Sequence, residues 1–245
     1  MQLKLIHIDE INSTNDFARK LIDKEMANQS VVISTNYQSN GKGQSDAVWE
    51  SEKGKNLLIS IILRPETIPA EKCFYISMIA ALGIANCISD LGIREVKIKW
   101  PNDIYINSKK IAGILIQNDL NQKGISSSII GIGLNVNQLI FSESIPNPVS
   151  LKQLLKKEID LHSLKEQLIE KIWNYYDLLM AAEFEMIKKK YEQQLFRYNR
   201  LYTFASDNQI RFKGKIKGID ESGKLIVKIE NKWRSFDMKE LIYVL

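Results

Sequence analysis

Hydrophobic and polar positions along the chain switch between a period of two and a period near 3.6, and the switches mark its elements. Residues 3–8 read as a first strand. A helix follows, in which Ser13 and Asp16 resemble a capping box and Phe17, Leu21 and Ile22 supply a buried stripe. Val31-Val32-Ile33-Ser34 is a β-branched strand. It runs into a polar, glycine-bearing, aperiodic stretch from Asn36 to Ala47, about twelve residues, a length that inside a compact domain usually marks a functional or disordered loop. Asn56 to Leu63 forms another strand. Pro69 opens a helix whose Ile76, Ile79, Ala80, Gly83, Ile84, Cys87 and Leu91 keep helical spacing until Gly92 ends it.

The densest stretch follows, from Lys99 to Leu115. Val96, Ile98 and Trp100 alternate with lysines as in a half-buried strand, and Pro101, lacking an amide hydrogen, ends the ladder. Ile104 to Ile106, Ile111 to Gln117 and Ser126 to Ile132 are further strands, separated by Asn107-Ser108 and by a looser turn over 118–124. Consecutive strands on short turns predict an antiparallel meander. A proline-marked loop over 141–149, a short helix near Ser150 and a helical pattern over 163–198, with a break near 181, come next. Beyond Asn199 five short strands (202–204, 210–212, 215–219, 225–229 and 233–236) suggest a small barrel. The expectation is an α+β protein: a mixed, largely antiparallel sheet with packed helices in residues 1–198, and a small C-terminal barrel in 199–245.

Composition narrows the class. With 44% hydrophobic and 26% charged residues the chain can bury a sizeable core. No apolar run is expected to approach the length of a membrane span, and residues 1–8 lack the features of a signal peptide, so a cytoplasmic protein with no membrane partner is expected. Cys73 and Cys87 share one helical pattern and lie about 21 Å apart along it, far beyond disulfide reach. With only His7 and His162, a histidine-based centre is not expected. The net charge of +5 permits attraction to phosphates or to an acidic protein. Lys188-Lys189-Lys190 reads as a solvated face, and no basic–aromatic stripe argues for nucleic acid.

The candidate chemistry sits at the breaks. Gly41-Lys42-Gly43 is neither a P-loop, since no Ser or Thr follows Lys42, nor a dinucleotide fingerprint, since Asp46 stands where the third glycine belongs. What remains is a loop with exposed amides and one cation. Lys109 and Lys110 point to opposite faces of a strand, and alternation puts Lys110 with Ala112 and Ile114, and Lys109 with Ile111 and Gly113. An inward lysine needs an anionic partner, whether a ligand or Asp103, unless its stem lies along the sheet. Asp103, seven residues earlier, fits a turn residue, a Mg²⁺ ligand or a group that orients an amine beside a phosphate. Gly131-Ile132-Gly133 lets a ligand approach backbone, or marks a strand-end bulge, and Asn135 could read an adenine edge.

In this order the motifs resemble those of biotin protein ligases over essentially the whole chain. They are Ser13-Thr14-Asn15; Tyr37-Gln38, Gly41-Lys42-Gly43 and Trp49-Glu50-Ser51; Lys99-Trp100-Pro101-Asn102-Asp103; Lys110-Ile111-Ala112-Gly113-Ile114-Leu115; and Gly131-Ile132-Gly133-Leu134-Asn135-Val136-Asn137. Each alone is ambiguous; all five at matching spacing are specific. The resemblance implies a class II synthetase-like, biotin/lipoate-ligase catalytic domain and an SH3-like C-terminal module. It implies ATP and biotin as substrates, Mg²⁺, a biotinyl-5′-AMP intermediate, and transfer to a lysine of a biotin carboxyl carrier protein or domain. It implies Lys110, Asp103 and Lys42 as catalytic groups, with Asp103 on the metal. Biotin would meet Ser13, Thr14, Asn15, Gln38, Gly41, Lys42, Gly43, Trp49, Lys110, Gly113, Gly131 and Gly133. ATP would meet Lys42, Gln44, Lys99, Trp100, Asn102, Asp103, Lys110, Asn135 and Asn137. Some members carry an N-terminal helix-turn-helix; a first strand at residue 3 leaves no room for one, so no DNA-binding role is expected. A homodimer is compatible with the resemblance.

Two rivals are weighed. A lipoate ligase or octanoyltransferase is disfavoured because its arginine-rich, glycine-run, valine-histidine motif is missing and neither cysteine follows the central motifs. A binder that has lost activity through its loop changes is the other. Those changes are real departures: Lys42 stands for an arginine, a point charge for a bidentate fork, and Asp46 stands for a glycine. Retention of biotinyl-AMP is therefore expected to be weak, and in a release assay Lys42→Arg with Asp46→Gly should slow escape of the intermediate; unchanged escape would count against this.

Overall fold

The computed structural model describes residues 3–44 and 47–244. β1 (Lys4–Ile11) pairs in parallel with β2 (Val31–Gln38), and α1 (Thr14–Asp23) connects them. β3 (Leu57–Leu63) is buried at every position, which is why its sequence is a continuous apolar run rather than an alternation. After a single 3₁₀ turn at Ala70–Lys72 comes α2 (Phe74–Asp90), so the helix opens five residues after Pro69. β4 (Val96–Lys99), β5 (Asp103–Ile106), β6 (Lys109–Asn121) and β7 (Gly124–Leu134) form the expected meander, with a cis Trp100–Pro101 peptide between the first two. The seven strands make one sheet in the order β1-β2-β3-β7-β6-β5-β4, and every pairing except β1–β2 is antiparallel. This is an α+β fold with a largely antiparallel sheet.

The 118–124 segment is not a loose turn. β6 runs on to Asn121, and its polar residues are satisfied across the ladder: Ser128 Oγ donates to Asn118 Oδ1 at 2.7 Å, and Arg19 pairs with Asp119 at 2.6 Å. Helical residues 163–198 split as α4 (Leu161–Met180) and α5 (Phe184–Gln194) about a left-handed Ala182, and before them lies α3 (Leu151–Leu155), capped by Ser150 and Gln153.

The sheet is covered on both faces. Period two in β3 sends Ile62 to the α1 side, where it packs with Ala18, Leu21, Val31, Ile33 and Ile129. Ile59, Ile61 and Leu63 go to the other side, against α2, α4 and α5. The expectation that no segment approaches membrane-span length is corrected here. Ala70–Asp90, 21 residues, is long and apolar enough by composition, but it is the central helix of the core and 72% of that window is buried. Cys87 is buried within it, and burial pushes its thiol up to about 11, which keeps it protonated.

Residues 201–243 make a second antiparallel sheet: β8 (Leu201–Ser206), β9 (Arg211–Ile219), β10 (Leu225–Ile229), β11 (Lys232–Phe236) and β12 (Leu241–Tyr243), in the order β11-β10-β9-β8-β12. The strands expected at 210–212 and 215–219 are one, β9, and the fifth is β12, too short to carry a periodic signal. Phe204, Ile216, Val227 and Phe236 belong to the same apolar cluster as α2 and α5, and Trp100 Nε1 donates to Gly223 O at 2.9 Å. One core thus runs beneath both sheets.

α2 lies close against α4 at Gly83, where an added Cβ would stand 2.6 Å from Ile172 Cγ1 and 2.9 Å from its Cα. Gly83→Ala should therefore lose about 1–3 kcal/mol by overpacking instead of gaining the roughly 1 kcal/mol that Ala brings to an exposed helix. Denaturant unfolding reads the sign.

Candidate active site

α1 covers only part of its face of the large sheet. Beside it β5, β6 and β7 form the floor of a cavity of about 190 Å³. The floor exists because side chains are missing from it. Asp103, Gly113, Gly133 and Leu58 are successive cross-strand partners, and Leu115, Gly131 and Ser60 form the next row. A Cβ at Gly131 would run into the Asn15 side chain, and one at Gly133 into the Trp49 indole. These glycines are required by close approach, not by backbone conformation.

Lys110 lies on this floor, and alternation alone misplaces it. Ile104 pairs with Ala112 but Tyr105 pairs with Lys110, so Ile111 is an extra residue, a bulge. Ile111 and Ala112 are consequently both fully buried. The slip moves Lys110 to the face of Gly113, whose added Cβ would meet Lys110 Cε at 3.3 Å; the expected grouping of Lys110 with Ala112 and Ile114 is corrected. There Lys110 Nζ stands 2.7 Å from Asp103 Oδ1. The contact is an ion pair by distance alone, since Oδ1 is buried with no aligned hydrogen-bond donor.

The wall opposite comes from the turn into α1 and from β2 and β3. Gln38 Oε1 accepts from the Thr14 amide at 2.8 Å and from its hydroxyl at 3.0 Å, which leaves the Gln38 amide donors for a ligand. Ser60 Oγ lies 2.7 Å from Thr14 Oγ1 and 2.6 Å from Asn15 Oδ1, and Asn15 Nδ2 reaches Gln117 Oε1 at 3.4 Å. Ser13 Oγ accepts from the Asp16 amide at 3.3 Å, but the reciprocal bond, from the Ser13 amide to the Asp16 carboxylate, is not made, so the expected capping box is half formed. The Asp16 carboxylate instead holds Lys42 Nζ at 2.8 Å.

Residues 41–44 and 47–49 form the lid, held together by Gly43 N donating to Ala47 O at 2.6 Å and Trp49 N to Gly41 O at 2.9 Å. Asp46 lies outside the described residues. Trp49 rests on Gly113 and Gly133 with its Nε1 unpartnered and Lys110 Nζ 5.6 Å from its ring. Gln44 Nε2 donates to Met238 Sδ at 3.1 Å, which ties the lid to the second sheet.

Ser13, Thr14, Asn15, Gln38, Lys42, Gly43, Gln44, Trp49, Asn102, Asp103, Lys110, Gly113, Gly131 and Gly133 therefore meet at one cavity. Five of the residues singled out lie elsewhere. Gly41 is at the lid's outer groove. Trp100 is buried against Gly223. Lys99 sits between the Tyr105 and Tyr243 rings, 4.7 and 5.3 Å from their centroids, where burial pulls its ammonium below the usual lysine value. Asn135 Nδ2 donates to Val149 O, and Asn137 exchanges two hydrogen bonds with the Ile159 backbone, so both amides clamp the chain around α3. Ser60 escaped the sequence reading, although a lone hydroxyl in the apolar run Leu57–Leu63 was a signal for it, and Asp16 was read only as a helix cap.

Residues 8–135 match the model of the biotin/lipoate A/B protein ligase family. The chain is 32% identical over 231 residues to the bifunctional ligase/repressor BirA of Bacillus spizizenii, covering 92% of this chain and 70% of that one. It is 28% identical over 238 residues to biotin–protein ligase 2 of Arabidopsis thaliana, covering 91% and 68%. In fold it is similar to the biotin protein ligase of Aquifex aeolicus in complex with biotin and ATP, with a TM-score of 0.79 over 97% of each chain at 22% identity. The chain belongs to the biotin/lipoate A/B protein ligase family.

Ser60→Ala tests the wall. It should leave a buried Asn15 or Thr14 oxygen short of its donor and cost about 1–3 kcal/mol in denaturant unfolding.

Proposed function

We propose that this chain activates biotin with ATP to biotinyl-5′-AMP and then transfers the biotinyl group to a lysine of a biotin carboxyl carrier domain. The observation that carries the reading is one cavity that sets apolar surface and a few polar groups beside charged ones. Leu115 and the Trp49 ring, with Ser13, Thr14 and Gln38, suit a mostly hydrocarbon acid with a ureido ring. Lys110, Asp103 and Lys42 line the same cavity, with Lys110 Nζ 5.6 Å from the Trp49 ring.

In the first step a biotin carboxylate oxygen bonds to the α-phosphorus of ATP, and the bond to the β-phosphate oxygen breaks to release pyrophosphate. Two anions must meet, so cations have to offset their repulsion and the charge that develops. Lys110 is fixed on the rigid floor and serves that role, with Lys42 above it on the lid. In the second step the acceptor amine attacks the mixed anhydride carbonyl, AMP leaves, and the amine loses a proton. Asp103, with an oxygen lacking a donor, orients that amine. Trp49 covers the tail.

Mg²⁺ fits this site in one sense only. Among the described residues no group of three or more acidic, histidine or cysteine side chains could cage a metal. Asp103 offers one carboxylate, which suits an ion shared with nucleotide phosphates, where it would neutralise phosphate charge. We also read residues 1–198 as the catalytic domain and 199–245 as an SH3-like module; its five short antiparallel strands support this, and the Gln44–Met238 contact gives it a place beside the lid.

Lys110→Ala should cut biotin-dependent ATP–pyrophosphate exchange by about 10²–10³-fold or more while circular dichroism stays unchanged. Near-normal exchange would sink the assignment, and exchange driven by lipoate instead of biotin would move the substrate.

A further inference from the structure

Both cations of the cavity already have carboxylate partners: Lys110 holds Asp103 and Lys42 holds Asp16. The two carboxylates differ. Asp103 lines the cavity, whereas Asp16 lies outside it, in the groove with Glu10, Arg19 and Lys20. Asp16 is also the third residue of α1, where its side chain could reach back to the Ser13 amide. Ser13 makes its half of that arrangement and Asp16 withholds the other half. Asp16 therefore has two partners within reach and is using the one on the lid.

We propose that Asp16 is a two-position switch for the lid cation. With no anion bound it holds Lys42 at the cavity mouth; when a substrate phosphate takes Lys42, Asp16 turns back to the Ser13 amide and completes the capping box. The phosphate reading of the cavity underlies this, and the switch adds a regulator to it. The exchange leaves no carboxylate unpartnered, because the amide replaces the ammonium. It is sharpened by the lid cation being a lysine: its three donors sit on one nitrogen, so Asp16 and a phosphate held together would be brought close enough to repel, whereas a guanidinium holds two acceptors on separate nitrogens. The pair is half exposed, with side chains 45% and 40% accessible, so its grip is small enough for a phosphate to win. Because Ser13 itself lines the cavity, the returning carboxylate also fixes the turn that holds Ser13 and Thr14. Asp16 is thus a positioning residue that competes with the phosphate, weakening its hold on the lid.

The test measures affinity of the full chain for three probes: inorganic pyrophosphate, biotin, and a non-hydrolysable biotinyl-adenylate analogue. Asp16→Asn keeps an acceptor for the Ser13 amide but removes the charge, so thermal stability should not change. It should bind pyrophosphate and the analogue about two- to five-fold tighter, the range an exposed ion pair supplies, with biotin affinity unaltered. The gain should vanish in a Lys42→Gln background and shrink at high salt. In the parent chain, hydrogen exchange at the Ser13 amide should slow when pyrophosphate binds. Equal or weaker binding of pyrophosphate by Asp16→Asn, or a gain that persists without Lys42, would overturn the switch. Tighter pyrophosphate binding with no biotin binding would keep the switch and overturn the biotin reading instead.

Discussion

One extra residue in β6 carries the rest of the site. A regular strand from Lys109 onward would turn Lys110 toward the α2 side with Ala112 and Ile114, where an ammonium has no partner. The bulge at Ile111 moves it across the sheet to Gly113 and Asp103. The cost is two consecutive apolar side chains, Ile111 and Ala112, that must both be buried, and the core accommodates both completely. Bulges persist where they re-aim a side chain, and this one aims a strand lysine into the cavity.

Around that lysine the cavity is defined as much by what is omitted as by what is present. Gly113, Gly131 and Gly133 give up side-chain packing on one face of the central strands, and Asn15 and Trp49 occupy the space so made. Such a floor can be kept because the opposite face is so well filled. β3 and β7 pack against α2, and α2 packs against α4 closely enough that Gly83 abuts Ile172. The second sheet continues the same core and reaches the lid through Met238, so the loop above the cavity is anchored at two distant points, Asp16 and Met238.

Electrostatically the site is a set of paired charges that a ligand must rearrange. Lys110 has a carboxylate at a good distance but in poor alignment, and Lys42 has one that is well placed but only half buried. Neither arrangement is a strong structural bond. Both keep ammonium groups near the cavity without leaving them unpaired when it holds no anion, which suits groups that have to change partners.

Much of this could be read along the chain. The apolar run of β3, the helical rhythm of α2 and the meander from Val96 to Leu134 follow from local periodicity, because each element buries a contiguous pattern. The motif residues around Ser13, Lys42, Asp103, Lys110 and Gly131 could be singled out because their types break those patterns at element ends. What periodicity could not supply is anything set by partners distant in sequence. Asn135 and Asn137 read as ligand groups, but their amides are taken up by Val149 and Ile159; Lys99 and Trp100 read as part of the site, but they are enclosed by Tyr243 and Gly223 of a sheet that lies a hundred residues on. The sequence by itself determined which residues are chemically able to serve and which strands and helices carry them, since those depend on side-chain type and local spacing. Only the tertiary structure decided the face of Lys110, the diversion of Asp16 from its helix cap to the lid and the place of β12, because a register slip, an ion pair and a three-residue strand exist only once their partners are in position.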